Sequence, residues 1–280
     1  MLHNRFAIID IGTNTFHLLI VDIDECGGFT IIKKNREAVR LGLGGIQNKL
    51  ITDSAIERAI STLSRFKKTG IEQEVADFII YATSAVRNAE NKKIFLTKVR
   101  KELNLNINVI DGEREAELIY KGVTLEENVL TRENALIIDI GGGSVEFIIA
   151  NKYKRLWARS FEIGGLRLKN SFHKQEPIGK NEFQELKSFI AHKLKSLDKV
   201  LKDYAPSIMV GCSGTFDTIL EIAKYKGLSI YNSFNKKHFE SIFKELISKN
   251  REERLLIDGM IPLRVDLIVV SCSIIKFLFD

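Results

Sequence analysis

Two stretches of this chain carry one pattern written twice. Ala7-Ile-Ile-Asp-Ile-Gly-Thr-Asn-Thr-Phe-His-Leu-Leu-Ile20 is matched without a gap by Leu136-Ile-Ile-Asp-Ile-Gly-Gly-Gly-Ser-Val-Glu-Phe-Ile-Ile149. Each copy is an apolar strand ending in Asp, a turn of small residues and a second apolar strand, the signature of a β-hairpin with a tight tip. Asp10 and Asp139 occupy equivalent places, 129 positions apart. A hairpin repeated at that distance predicts that each copy opens its own α/β domain, a mixed sheet with flanking helices, and that the two domains face each other across a cleft. The expected division is 1–125 and 126–280, with the last helix a candidate to pack back toward the first domain.

The segments after each hairpin suit that plan. A third strand is expected over Phe29 to Arg40, then a glycine-rich loop, Gly42-Leu-Gly-Gly45. A helix follows, with Ser54 and Glu57 as a capping box and Ile56, Ile60, Leu63 and Phe66 as its buried stripe. The pattern continues with strands at Ala76 to Tyr81 and Ile107 to Ile110 and helices at Lys92 to Leu103 and Glu113 to Tyr120. In the second half, Phe183, Leu186, Ile190, Leu194, Leu197 and Leu201 line one face of a long helix whose lysine-rich face reads as solvated. Ser207 to Gly211 is a strand that runs through Cys212-Ser-Gly-Thr215 into a helix from Phe216.

Composition narrows the partners. Lys and Arg outnumber Asp and Glu by 42 to 36, a net charge of +6 that favours an anionic ligand without naming one. Nothing in the pattern suggests nucleic-acid binding. The three cysteines are far apart, with no C-x-x-C and no histidine at zinc spacing, so neither a disulfide framework nor a zinc site is indicated. No signal peptide or membrane anchor is read, since Leu267 to Ile275 is too short to span a bilayer. A cytoplasmic location is the expectation.

The hairpin tips, Gly12-Thr13-Asn14-Thr15 and Gly141-Gly142-Gly143-Ser144, are where chemistry is expected. Glycine leaves backbone N–H groups open to a close ligand and Thr or Ser adds a hydroxyl donor, so each tip can cradle phosphate oxygens. A single glycine-rich turn is ordinary; two in register are not. A carboxylate beside a phosphate cradle is unfavourable unless a cation lies between them. Asp10 and Asp139 therefore read as ligands of Mg²⁺, with Mn²⁺ the alternative ion, and Glu146 can point to the same place and assist. Cys212-Ser-Gly214-Thr215 adds a small-residue turn at a helix start, which can also face an anion. Among Glu113, Glu115 and Glu117, at another helix start, one carboxylate can activate a water for in-line attack on phosphorus, and composition does not say which. Arg87, after the hydroxyl-rich Thr83-Ser84, offers a guanidinium for a phosphate.

Five blocks in order resemble the exopolyphosphatase and guanosine pentaphosphate phosphohydrolase family of the actin and sugar kinase superfamily. They are Asp10-Ile-Gly-Thr-Asn-Thr-Phe-His17, Thr83-Ser-Ala-Val-Arg87-Asn-Ala-Glu-Asn91, Gly112-Glu-Arg-Glu115-Ala-Glu-Leu-Ile-Tyr120, Asp139-Ile-Gly-Gly-Gly-Ser-Val-Glu146 and Gly211-Cys-Ser-Gly-Thr215. The resemblance implies two actin-like (ribonuclease H-like) domains and Mg²⁺-dependent hydrolysis of terminal phosphoanhydride bonds. It assigns the general base to Glu115, phosphate binding to Gly141, Gly143 and Arg87, and flanking roles to Asp139 and Glu146. The chain departs from its relatives at the C-terminal end, where they continue through another strand and helix after a helix containing Arg264-Val-Asp266. The expected substrate is inorganic polyphosphate, with guanosine pentaphosphate or another nucleoside triphosphate as the alternative. A superfamily kinase and a noncatalytic phosphate sensor are the more distant readings. An exposed apolar C-terminal helix would favour a homodimer.

Overall fold

The structure is a computed structural model and describes residues 4–229 and 231–280. The chain divides into two compact units, 1–112 and 113–280. The helix that carries the three glutamates therefore belongs, from Glu113 onward, to the second unit.

In the first unit, β1 (Arg5–Ile11), β2 (Phe16–Ile23) and β3 (Phe29–Glu37) are followed by α1 (Asp53–Glu72), β4 (Asp77–Ala82), a single turn α2 (Ser84–Arg87), α3 (Lys92–Leu103) and β5 (Asn108–Val109). The sheet order is β3-β2-β1-β4-β5, antiparallel through the hairpins and parallel across β1, β4 and β5. Strand alternation sends Ala7, Ile9, Ile11, Phe16, Leu18 and Ile20 to one face, where they pack with Ala55, Ile56, Leu63 and Phe66 of α1 and Phe95 and Val99 of α3. The helix stripe is where periodicity put it. Its start is not: Thr52 is the N-cap, its hydroxyl accepting from the Ala55 amide at 3.3 Å, because α1 begins one residue before Ser54.

The second unit begins in α4 (Gly112–Thr124) and continues through β6 (Ala135–Ile140), β7 (Val145–Ala150) and β8 (Arg155–Phe161), then α5 (Gly165–Phe172), α6 (Lys180–Tyr204), β9 (Ile208–Cys212), α7 (Ser213–Tyr225), α8 (Lys236–Ser248), α9 (Arg251–Leu255) and α10 (Ile268–Phe279). Its sheet runs β8-β7-β6-β9, repeating the first four strands of the other sheet in the same senses. Both sheets are mixed and flanked by helices, as the repeat implied. Arg264 and Asp266 lie before α10, Arg264 in a short 3₁₀ turn, Pro262–Arg264, rather than in a helix.

Period-two alternation sorts the second sheet into two faces. Leu136, Ile138, Ile140, Val145, Phe147 and Ile149 meet the buried stripes of α6, α7, α8 and α10. Ala135, Ile137, Ile148 and Ala150 meet Ala116 and Val123 of α4 and Leu130 on the other. Burial of each large apolar side chain contributes about 1.5–3 kcal/mol, and β6 and β7 are covered on both faces. α10 is buried from Ile268 to Ile275 and packs on α5, α6, α7 and α8 of its own unit. The exposed apolar face on which the dimer expectation rested is therefore absent among the described residues. No helix of the described residues is long and apolar enough to cross a membrane.

Candidate functional site

Face and register bring the acidic residues of the second unit together. Asp139 and Glu146 are direct cross-strand partners at the end of the β6–β7 hairpin. By alternation both belong to the face that α4 covers, since Ala135, Ile137, Ile148 and Ala150 are on it. Glu146 is 1% exposed, and Ser160 of β8 donates its hydroxyl to Glu146 Oε1 at 2.7 Å. Burial, then the charges of Glu115 and Asp139, push its pKa well above the carboxylate range. Asp139 keeps some solvent contact, yet packing around its carboxyl raises its pKa too, against the lowering effects of the Ser213 hydroxyl and the Arg264 guanidinium.

The structure separates the three glutamates of α4. Glu113 is exposed and paired with Arg155. Glu117 is clasped by Lys121 and by Arg114, each at 2.7 Å, and the two cations hold its pKa at about 2, Lys121 having the larger effect. Glu115 is the one whose charge is felt by buried Glu146.

The tip itself is a closed turn, with the Gly141 amide donating to the Ser144 carbonyl at 3.0 Å. Its other carbonyls are taken by the segment entering α5. Gly164 N–H donates to Gly143 O at 3.2 Å, Gly165 N–H to Gly141 O at 2.9 Å and Leu166 N–H to Gly142 O at 2.9 Å. Among the described residues the amides of Gly142, Gly143 and Ser144 donate to no carbonyl, which leaves three N–H groups for a ligand.

The same device stands in the first unit. The Gly12 amide closes that turn on Thr15 O at 3.2 Å, and the loop after β3 takes the carbonyls of Thr13 and Asn14 through the Gly42 and Arg40 amides at 2.9 and 2.8 Å. Thr13 and Thr15 are buried, and Thr15 Oγ1 has no hydrogen-bond partner among the described residues. Asp10 is an exposed strand-end residue opposite His17. Arg87 ends α2, half-buried, and donates from Nη1 to Ile110 O at 3.2 Å.

Gly214 and Thr215 open α7 just after Ser213, which adopts a left-handed φ of 69° and gives its hydroxyl to Ile140 O at 3.2 Å. A Cβ at Gly214 would lie 2.1 Å from Arg264 Nε, so glycine there makes room for a guanidinium. Cys212, in register with Asp139, has its thiol pushed up to about 12 by burial and by the charges of Asp139 and Asp217, which favours the thiol over the thiolate.

The pattern of the Ppx/GppA phosphatase family matches residues 19–280. The chain belongs to the Ppx/GppA phosphatase family. That match takes in α4 and the whole second hairpin. A solved structure described as an exopolyphosphatase from Cytophaga hutchinsonii is similar at 40% identity and a TM-score of 0.91, over 98% of this chain and 89% of that one. A bifunctional 3-dehydroquinate synthase/phosphatase of Fusobacterium nucleatum subsp. nucleatum is 30% identical over 98% of this chain and 43% of its own length. A guanosine-5'-triphosphate,3'-diphosphate pyrophosphatase of Aliivibrio fischeri is 30% identical over 98% of this chain and 54% of its own. The chain thus spans about half the length of these two curated relatives.

For this family member, sequence reasoning missed Ser160, Ser213, Arg167 and Arg264. Ser213 stood inside a quoted block, but its left-handed backbone has no signal in a Ser. Arg264 and Arg167 are surface-type residues in sequence, and only tertiary packing brings them to Gly214 and to the second tip.

Proposed function

We propose that this chain hydrolyses the terminal phosphoanhydride bond of inorganic polyphosphate. The observation that carries this is that the charge of Glu115 is felt by buried Glu146, on the hairpin whose tip leaves three amides without a backbone acceptor. In this reading the amides of Gly142, Gly143 and Ser144 bind the terminal phosphoryl. Glu115 takes a proton from the attacking water as its oxygen bonds to phosphorus, the bridging P–O bond breaks, and the shortened chain leaves.

The donor set suits a hard divalent cation. Asp139 and Glu146 are cross-strand partners whose burial, with the charge of Asp217 on Asp139 and those of Glu115 and Asp139 on Glu146, keeps their proton affinity high, an energetic cost that Mg²⁺ would relieve. Bound there, Mg²⁺ would neutralise phosphate charge. Similarity to the Cytophaga hutchinsonii exopolyphosphatase over nearly all of both chains supports polyphosphate, as does the net charge of +6. The 30% identity to the Aliivibrio fischeri pyrophosphatase supports a guanosine pentaphosphate as the alternative substrate.

The test is phosphate release from both substrates with Mg²⁺, by the intact protein and by Glu115→Gln. We expect turnover of polyphosphate and a loss of about 10²–10⁴ in kcat in the variant with KM nearly kept. Faster release from the nucleotide would change the substrate and keep the mechanism. A fully active variant would refute the role of Glu115, and phosphate transfer only to an added acceptor would indicate a kinase.

A further inference from the structure

The two tips are held by the same backbone device, and at the second a side chain also engages the turn. Arg167, in the first turn of α5, donates from Nε to Gly143 O at 2.9 Å. Its Nη2 donates to Glu162 Oε2 at 3.1 Å. The side chain is 16% exposed, so the fork is largely enclosed between the tip and Glu162. Gly143 O therefore accepts from two donors, the Gly164 amide and a guanidinium. At the equivalent residue of the first tip, Asn14, the carbonyl accepts from the Arg40 amide at 2.8 Å.

That extra contact has an electronic and a geometric consequence. The carbonyl of Gly143 and the amide of Ser144 belong to one peptide plane, so fixing the oxygen fixes the direction of the N–H. A cation on the oxygen also draws electron density from the peptide and makes its N–H a stronger donor, since chains of hydrogen bonds polarise one another. The amide affected is one of the three left open at the tip. A glycine-rich turn is intrinsically mobile, and without a clamp it would lose entropy each time a phosphate arrives.

We propose that Arg167 is a positioning residue that presets the Gly143–Ser144 peptide as a phosphate-binding donor, with Glu162 holding the guanidinium in place. The inference rests on the reading that this tip binds phosphate. It assigns to Arg167 an effect on phosphate affinity, through a backbone carbonyl and not through contact with the substrate. Removing a charge-assisted hydrogen bond of this kind changes affinity by roughly tenfold or more.

The experiment uses the full chain and Arg167→Met, Arg167→Lys, Glu162→Gln and the Arg167→Met/Glu162→Gln pair. Two quantities are read: kcat and KM for phosphate release from polyphosphate, and the affinity for inorganic pyrophosphate by calorimetry with Mg²⁺ present. We expect Arg167→Met to raise KM and weaken pyrophosphate binding by about tenfold together, with the larger share of the loss in KM. Arg167→Lys should recover part of the affinity, and Glu162→Gln should weaken it by a smaller factor that vanishes in the Arg167→Met background. A variant that folds less well but keeps KM and pyrophosphate affinity would show a merely structural arginine and overturn the proposal. Should the unaltered protein bind pyrophosphate without releasing phosphate from either substrate, the hydrolase reading fails, while the affinity series still decides the role of Arg167. Should it do neither, both readings fall.

Discussion

Gly164→Ala isolates the contact on which the second tip depends. Gly164 has φ −62° and ψ 160°, a backbone that alanine adopts freely. On chain entropy alone the substitution would stabilise the protein by about 0.4–1 kcal/mol. Space reverses the sign. The new Cβ would lie 2.4 Å from Gly143 N and 2.5 Å from the carbonyl carbons of Gly142 and Gly143, all backbone atoms with no rotamer to yield. Overpacking of this kind costs about 1–3 kcal/mol, so the net expectation is a loss of roughly 1–2 kcal/mol. In a unit of this size that lowers Tm by about 3–6 °C. The tip must also move by up to about 1 Å, and displacement of that order at a substrate-positioning element costs up to roughly 10²-fold in rate. Gly122→Ala is the control, because nothing lies within 4 Å of its Cβ on the exposed side of α4, and there about 0.5–1 kcal/mol of stabilisation is expected with turnover unchanged. Thermal unfolding and phosphate release are measured on both variants. A Gly164→Ala protein as stable and active as the parent would refute the close-approach argument.

Glu117→Gln should retain turnover, because Lys121 and Arg114 already occupy that carboxylate. Its folded pKa of about 2 lies below the unfolded value, so its contribution to stability is present above the ordinary carboxylate range and lost as pH falls through 2. Acid titrations at low and high salt should show the variant losing less stability than the parent between those limits, the difference shrinking with salt; identical curves at low salt would remove the ion-pair account. Chelation of divalent ions should abolish phosphate release and added Mg²⁺ should restore it, with Asp139→Asn needing more of the ion to do so; turnover that persists after exhaustive chelation would exclude the cation proposed at Asp139 and Glu146.

Much of this protein was legible from local pattern. The gapless repeat fixed two hairpins, and the period of two along a strand then made Asp139 and Glu146 opposite partners on one face. Helical spacing likewise found the buried stripes of α1 and α6, because those stripes are determined by burial of neighbours three and four residues apart. What local pattern could not supply was which cations the acidic residues meet. Glu113 is paired with Arg155, 42 positions away, and the Gly143 carbonyl accepts from Arg167, 24 positions beyond it. Ser213 and Arg264 act on Asp139 from other parts of the chain. Spacing encodes which face a side chain occupies; which charge it meets on that face depends on elements brought together from distant sequence, and only the tertiary structure decides that.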